Sequence, residues 1–230
     1  MLSVVDLLEA GTVTPEMAGY LLAAIGKGRS FLVGALPGGA GKTTVMGALL
    51  NFVPADVELV PTDSRRTVQE GLEDRSAPRC YVCHEIGSGP YYAYLWGAAL
   101  QELFRLPSRG HMVATNLHAD TIDQARRQIC TDNGVPDDLF DRFGLMLFLR
   151  VKPSPGGVRR YIAAVYECCA SGAPLLVYRL NRSDRIEPVE PSQCVAPEEL
   201  ALAARKIEAL RANGARTIEQ VRRFLLYDRA

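Results

Sequence analysis

The chain has 230 residues, 48% of them hydrophobic and 23% charged, enough to bury a sizeable core in one globular domain with a small appendage. Lys+Arg and Asp+Glu both number 26, so no global field draws the chain to nucleic acid or to an anionic membrane, and nucleic-acid partners are not expected. The opening MLSVVDLLEAG lacks the pattern of a secretory signal, and no apolar run approaches the roughly 18 residues of a membrane helix; a cytoplasmic protein without direct membrane insertion is expected.

Thr14-Pro15-Glu16 starts a helix: threonine caps, proline sits where its missing N–H costs nothing, and the acid faces the positive end of the dipole. That helix should stop near Gly26. Ser30 to Gly34 is a short apolar run read as a buried strand, and Val57–Val60 and Cys80–Cys83 read as further strands. The stretch from Tyr91 to Leu106 predicts a helix closed by Pro107, with its aromatic residues in a core or interface. His111–Thr115 is another strand, and Asp120-Thr121 caps the helix after it. Leu145–Leu149 and Arg160–Val165 are strands again.

Alternating strands and helices argue for an α/β fold with a mostly parallel sheet flanked by helices. The polar segment from Leu180 to Pro197 reads as a linker or irregular edge. Beyond it, Glu198–Ala212 is helical, and Thr217 with Gln220 forms a capping box for a last helix ending near Tyr227. The division expected is a sheet domain over 1–180, then a linker and small C-terminal helical unit over 181–230.

Leu36-Pro37-Gly38-Gly39-Ala40-Gly41-Lys42-Thr43-Thr44 follows the buried strand and opens a helix. In that order, glycines let main-chain N–H groups turn inward around a phosphate, and the helix N-terminus adds its dipole. Pro37 to Thr44 are therefore candidate ATP-binding residues. Lys42 would reach the β- and γ-phosphates, and Thr43 would complete a Mg²⁺ shell. Leu36 stands where this motif normally has its first glycine, so an altered approach to the loop is expected.

These residues resemble the motor domain of the type II and type IV secretion and pilus ATPases, whose archaeal relatives drive archaella. The resemblance covers nearly the whole chain. Asp6–Gly11 with Thr14–Met17 resembles the stretch before the loop, and Val60-Pro61-Thr62-Asp63 sits where the family has an aspartate box. Pro78–Ile86 resembles the strand ending in the Walker B glutamate. Gly110–Asp120 resembles the histidine box, and Arg159–Glu167 with the final helices resembles the closing segment.

The resemblance implies a RecA-like P-loop NTPase that uses ATP and Mg²⁺. It further implies a hexameric ring working with secretion or pilus machinery, peripheral to the inner membrane through its partners. Glu85 would orient the attacking water or hold the metal through water, Asp63 would add a second metal acid, and His111 and His118 would sense the γ-phosphate or subunit seam. Arg75 would reach a neighbouring subunit's phosphate. The family's N-terminal domain has no counterpart in this sequence.

Thr62 replaces the box's glutamate, and Gly87-Ser88-Gly89-Pro90 replaces an arginine and acid after Glu85-Ile86. Weakened hydrolysis is expected from these departures, since one lost water-orienting group removes orders of magnitude in rate. A non-hydrolysing, nucleotide-responsive scaffold and a nucleic-acid packaging or conjugation ATPase are the alternatives.

Cys80-Tyr81-Val82-Cys83-His84 spells the C-x-x-C-H pattern of haem attachment and offers three potential zinc ligands. In an apolar strand these residues cannot all point the same way, so the cysteines read as small buried side chains.

Overall fold

The computed structural model describes residues 2–227 apart from 90, 156, 170 and 171. Ser3 caps α1 (Val4–Glu9) in a reciprocal box with Asp6, and Thr14 Oγ1 accepts from the Met17 N–H at the start of α2 (Pro15–Gly26). After β1 (Ser30–Gly34) and the glycine-rich loop come α3 (Lys42–Leu49), β2 (Glu58–Pro61), α4 (Arg65–Glu73) and β3 (Arg79–Val82). Two short strands, β4 (Glu85–Ile86) and β5 (Tyr94–Leu95), precede α5 (Ala98–Leu103), β6 (Met112–Leu117), α6 (Ile122–Arg126) and α7 (Asp137–Phe140). The chain closes with β7 (Gly144–Ser154), β8 (Gly157–Glu167), β9 (Leu175–Leu180), β10 (Ile186–Pro188), α8 (Pro197–Ala212) and α9 (Ile218–Tyr227).

The strands form one sheet in the order β10-β9-β8-β7-β1-β6-β3-β2, with β4 beside β6 and β5 beside β4. Pairings from β2 to β7 are parallel, and those from β7 to β10 are antiparallel. β1 lies centrally and is buried on both faces. Phe31 and Val33 join an apolar cluster with α2, α3, α8 and α9, while Leu32 joins a second cluster with α4 to α7. Side chains alternate across a strand, so one run of five apolar or small residues feeds both layers. Each such fully buried side chain contributes about 1.5–3 kcal/mol. Among the described residues, no helix is long and apolar enough to cross a membrane.

Two expectations change. The helix read over Tyr91–Leu106 begins only at Ala98, because Gly97 takes φ +60° and gives its N–H to Asn133 Oδ1 at 2.6 Å. Tyr94–Leu95 instead pairs with β4, and Tyr91 and Tyr92 stand in solvent rather than in a core. Secondly, the sheet extends through an antiparallel meander: β9 went unread, and β10 lies within the segment read as a linker. Pro90, part of the altered stretch after Glu85-Ile86, lies outside the described residues. In the C-terminal segment, Ile207 and Leu210 of α8 and Val221 and Phe224 of α9 enter the same apolar cluster as Phe31.

α8 docks on α2 at close range. A Cβ built on Gly19 would meet the Ala204 main chain at 2.6 and 2.7 Å, so only glycine permits this approach. Gly19→Ala is expected to cost about 1–3 kcal/mol by overpacking, read as a lower denaturation midpoint with an unchanged denaturant slope.

Glu167 ends β8 with 1% of its surface exposed. Burial pushes its pKa up, but hydrogen bonds from Cys194, Ser192 and Gln193 outweigh that and hold it below the ordinary 4.5. Its stabilising contribution is therefore complete above that ordinary value and is lost as pH falls through the depressed one. Glu167→Gln should lower stability at neutral pH by about 1–3 kcal/mol and flatten the fall in melting temperature between roughly pH 5 and 3.

Candidate functional site

The parallel strands β1, β3 and β6 deliver their C-terminal ends to one edge of the sheet, where open α/β sheets place their ligands. Gly34 leads into loop 35–41, which turns back into α3 at Lys42. Gly39 and Gly41 take φ +72° and +97°, conformations that suit glycine, and a Cβ on Gly38 or Gly39 would meet nothing within 4 Å. The loop thus leaves its concave side open. Beneath it lies a cavity of ≈ 390 Å³ lined by Gly38 to Thr44, Glu85 and His118. Thr43, the second residue of α3, is exposed.

Lys42 is buried, only 8% exposed, and its ammonium is held at 3.4 Å from the Ala35 carbonyl, 3.3 Å from His118 Nδ1 and 3.3 Å from Glu85 Oε1. Glu85 is 5% exposed, and its Oε1 also lies 3.4 Å from His118 Nε2. The Lys42 contact is ionic, and the His118 contact would be so only with both ring nitrogens protonated; among the described residues Oε1 accepts no hydrogen bond, while the Tyr94 hydroxyl donates to Oε2 at 3.5 Å. A buried carboxylate oxygen left open beside a cavity is a ready acceptor for something that enters it. His118 Nδ1 is also 3.3 Å from the Leu36 carbonyl. With a proton on Nε2 facing Glu85, Nδ1 can accept from Lys42. A second ring proton would serve Leu36 and Glu85 but oppose the Lys42 charge.

Larger hollows lie elsewhere, ≈ 590 Å³ at the opposite sheet edge and ≈ 560 Å³ between α9 and β2. Neither presents a glycine-rich loop at a helix N-terminus. The edge below the loop is the better candidate site on chemistry, although not on size.

Neither a protein-family model nor a curated protein sequence matches the chain. Solved structures do. The VirB11 ATPase of the Brucella suis type IV secretion system, solved with sulphate, superposes with a TM-score of 0.51 at 18% identity over 70% of this chain and 54% of its own. The Yersinia pseudotuberculosis ATPase DotB gives 0.52 at 12% identity over 95% of this chain and 62% of its own. The fold is that of these secretion ATPases. The chain therefore spans less than two thirds of the length of either.

Within this secretion-ATPase fold, the residues expected from sequence fall into two groups. Pro37 to Thr44, Glu85 and His118 gather at one edge, with all but Pro37 lining the cavity. Asp63 follows β2 at the same edge but is exposed and does not line the cavity; the neighbouring Thr62 Oγ1 donates to the Val60 carbonyl at 3.0 Å. His111 precedes β6 and Arg75 precedes β3, which places both at the opposite edge. His111 is 4% exposed, its Nδ1 accepts from the Arg79 N–H at 3.2 Å, and its ring meets Tyr81 edge-on. The structure does not bring His111 or Arg75 to the cavity.

Cys80 and Cys83 point into opposite apolar clusters, three positions apart on a chain of alternating faces. Burial pushes their thiols up to about 12 and about 11. They behave as small core residues.

Two further residues of the site were read in sequence without a role at it. Asp120 Oδ1 accepts from the Leu36 N–H at 2.7 Å and anchors the strand-to-loop turn where the motif's first glycine is replaced. Arg160, on β8, reaches the Gly39 carbonyl through Nη2 at 3.2 Å and Nε at 3.4 Å. It also borders a second cavity of ≈ 270 Å³ that shares Gly39 to Gly41 with the first and adds Leu7 and Val158. The arginine pair Arg159-Arg160 was visible in the sequence, but nothing local tied it to a loop 121 positions away.

Proposed function

We propose that the chain binds ATP with Mg²⁺ at the glycine-rich loop and hydrolyses it as one subunit of a ring-shaped, secretion-type motor. The observation that carries this reading is the Lys42 ammonium, set on the first residue of α3 and 3.3 Å from Glu85 Oε1, at the mouth of an open, glycine-lined cavity. Main-chain N–H groups of residues 39–43 and the N-terminal end of α3 would hold the β- and γ-phosphates. Lys42 would exchange its contacts with Glu85 and His118 for phosphate oxygens, freeing the carboxylate to orient and polarise a water. His118, facing Lys42 and Glu85 together, would register that exchange.

The donor set fits a hard, oxygen-seeking cation: Thr43 offers a hydroxyl at the cavity and Glu85 an open carboxylate oxygen. Bound there, Mg²⁺ supplies charge neutralisation on the β- and γ-phosphate oxygens. The second cavity, apolar at Leu7 and Val158 and basic at Arg160, is the proposed place for the base and ribose.

A second reading, a nucleotide-responsive scaffold without turnover, is favoured by one observation. No carboxylate from the β2 end lines the cavity, since Asp63 is exposed and Thr62 bonds its own strand. Phosphate release by purified protein, paired with native mass measurement with and without ATP–Mg²⁺, separates the two. Turnover with a six-fold mass supports the motor, assembly without turnover supports the scaffold, and neither defeats both. Turnover stimulated by DNA and lost steeply with salt would point to a nucleic-acid motor.

A further inference from the structure

A second side-chain cluster lies far from the loop. Glu167 Oε1 accepts from the main-chain N–H groups of Gln193 at 2.9 Å and Cys194 at 2.7 Å, from Ser192 Oγ at 3.3 Å and from Cys169 Sγ at 3.5 Å. Its Oε2 accepts from the Tyr20 hydroxyl at 3.3 Å. The buried carboxylate thereby draws the segment before α8 onto the end of β8. In doing so it sets the Cys169 and Cys194 sulfurs 2.9 Å apart. Both are free thiols of intermediate exposure, so a small oxidant can reach them, whereas Cys80, Cys83 and Cys168 are buried.

Glu167, Cys169 and Cys194 could be read as a metal site, since their ligand atoms lie within 4.8 Å of one another. Two thiolates on a tetrahedral zinc, with Zn–S bonds of about 2.3 Å, stand roughly 3.8 Å apart. The sulfurs here are closer than that, and within about 1 Å of the ~2.05 Å of a disulfide. Four donors also already fill Glu167 Oε1. The geometry suits a bond between the sulfurs.

We propose that Cys169 and Cys194 form a redox modification site, a reversible disulfide that fastens the end of β8 to the start of α8 and is made by exchange with a small-molecule disulfide such as oxidised glutathione. One thiolate of the pair attacks one sulfur of that disulfide, giving a mixed disulfide and releasing one small thiolate. The other thiolate then displaces the second small thiolate as the protein S–S bond forms. The two protein thiols give up two electrons, the small disulfide is reduced to two thiols, and the two protons pass to these through solvent. Burial pushes both thiols up, so little of either is thiolate near neutral pH and exchange quickens as pH rises.

The bond would close a loop carrying β9 and β10 and would hold α8 against α2. Glu167 pairs with Leu145 at the start of β7, and β7 starts beside Ser30, so the link forms at the sheet edge opposite the glycine-rich loop. It is therefore testable apart from any nucleotide chemistry.

The full chain would be incubated with oxidised glutathione for several hours at about pH 9, where the thiolate fraction of these raised thiols is larger than at neutral pH, then alkylated in denaturant and mapped by mass spectrometry. The expected product has four of the six cysteines alkylated, with the other two joined as Cys169–Cys194. Its melting temperature should rise by roughly 5–10 °C and return with dithiothreitol. Cys194→Ser should lose the link and the rise together. Full alkylation after oxidation, a link between other cysteines, a link without a melting shift, or the same shift in Cys194→Ser would each overturn the proposal.

Discussion

Lys42→Ala is expected to weaken ATP binding by roughly 10–100-fold, the loss that follows when charge-assisted hydrogen bonds to phosphate disappear. The side chain is poised for that role: it is 8% exposed, sits on the first residue of α3, and its ammonium contacts, among the described residues, a carbonyl, an imidazole and a carboxylate at the cavity. Removing it also leaves Glu85 without its nearest cation, so stability without nucleotide must be followed in parallel. A fluorescent ATP analogue titrated into the wild type and a folded Lys42→Ala variant gives the answer. Equal affinities would remove the lysine from the phosphate site.

Glu85→Gln should separate binding from chemistry. An amide keeps the shape of the side chain but cannot take a proton, so turnover should fall by about 10²–10⁴-fold while ATP affinity stays within a few-fold. The burial of Glu85 and the open Oε1 between Lys42 and His118 motivate the expectation. Steady-state phosphate release measures the first quantity and nucleotide titration the second. Unchanged turnover in Glu85→Gln would assign water activation to another group.

What could be read from sequence is what local pattern determines. Ser30–Gly34, loop 36–44 and α3 are contiguous, and their apolar run, glycines and Lys-Thr-Thr carry their own conformational instructions. Glu85 and His118 came from the resemblance to the family's Walker B and histidine-box stretches, and the structure sets each just past the C-terminal end of an apolar strand, β3 and β6. The same logic, pressed further, separates the two histidines: seven residues along an extended chain at about 3.3 Å each puts His111 more than 20 Å from His118.

Other features depend on distant partners. The start of α5 is set by Asn133 meeting the Gly97 N–H. The antiparallel edge β7–β10 arises from pairing, which no single segment announces. Arg160 at Gly39 and Cys169 at Cys194 become neighbours only once β8 has been placed.

The most direct test is calorimetric and thermal titration of the wild-type chain with ATP, with Mg²⁺ and with EDTA in its place. A ligand that binds only the folded state at a hundred times its dissociation constant adds about 2.7 kcal/mol, or roughly 5–10 °C in melting temperature at this size. That shift should require the triphosphate, grow with Mg²⁺ and fall to about half or less in Lys42→Ala. No heat of binding and no shift at millimolar ATP–Mg²⁺ would contradict a nucleotide site at the glycine-rich loop.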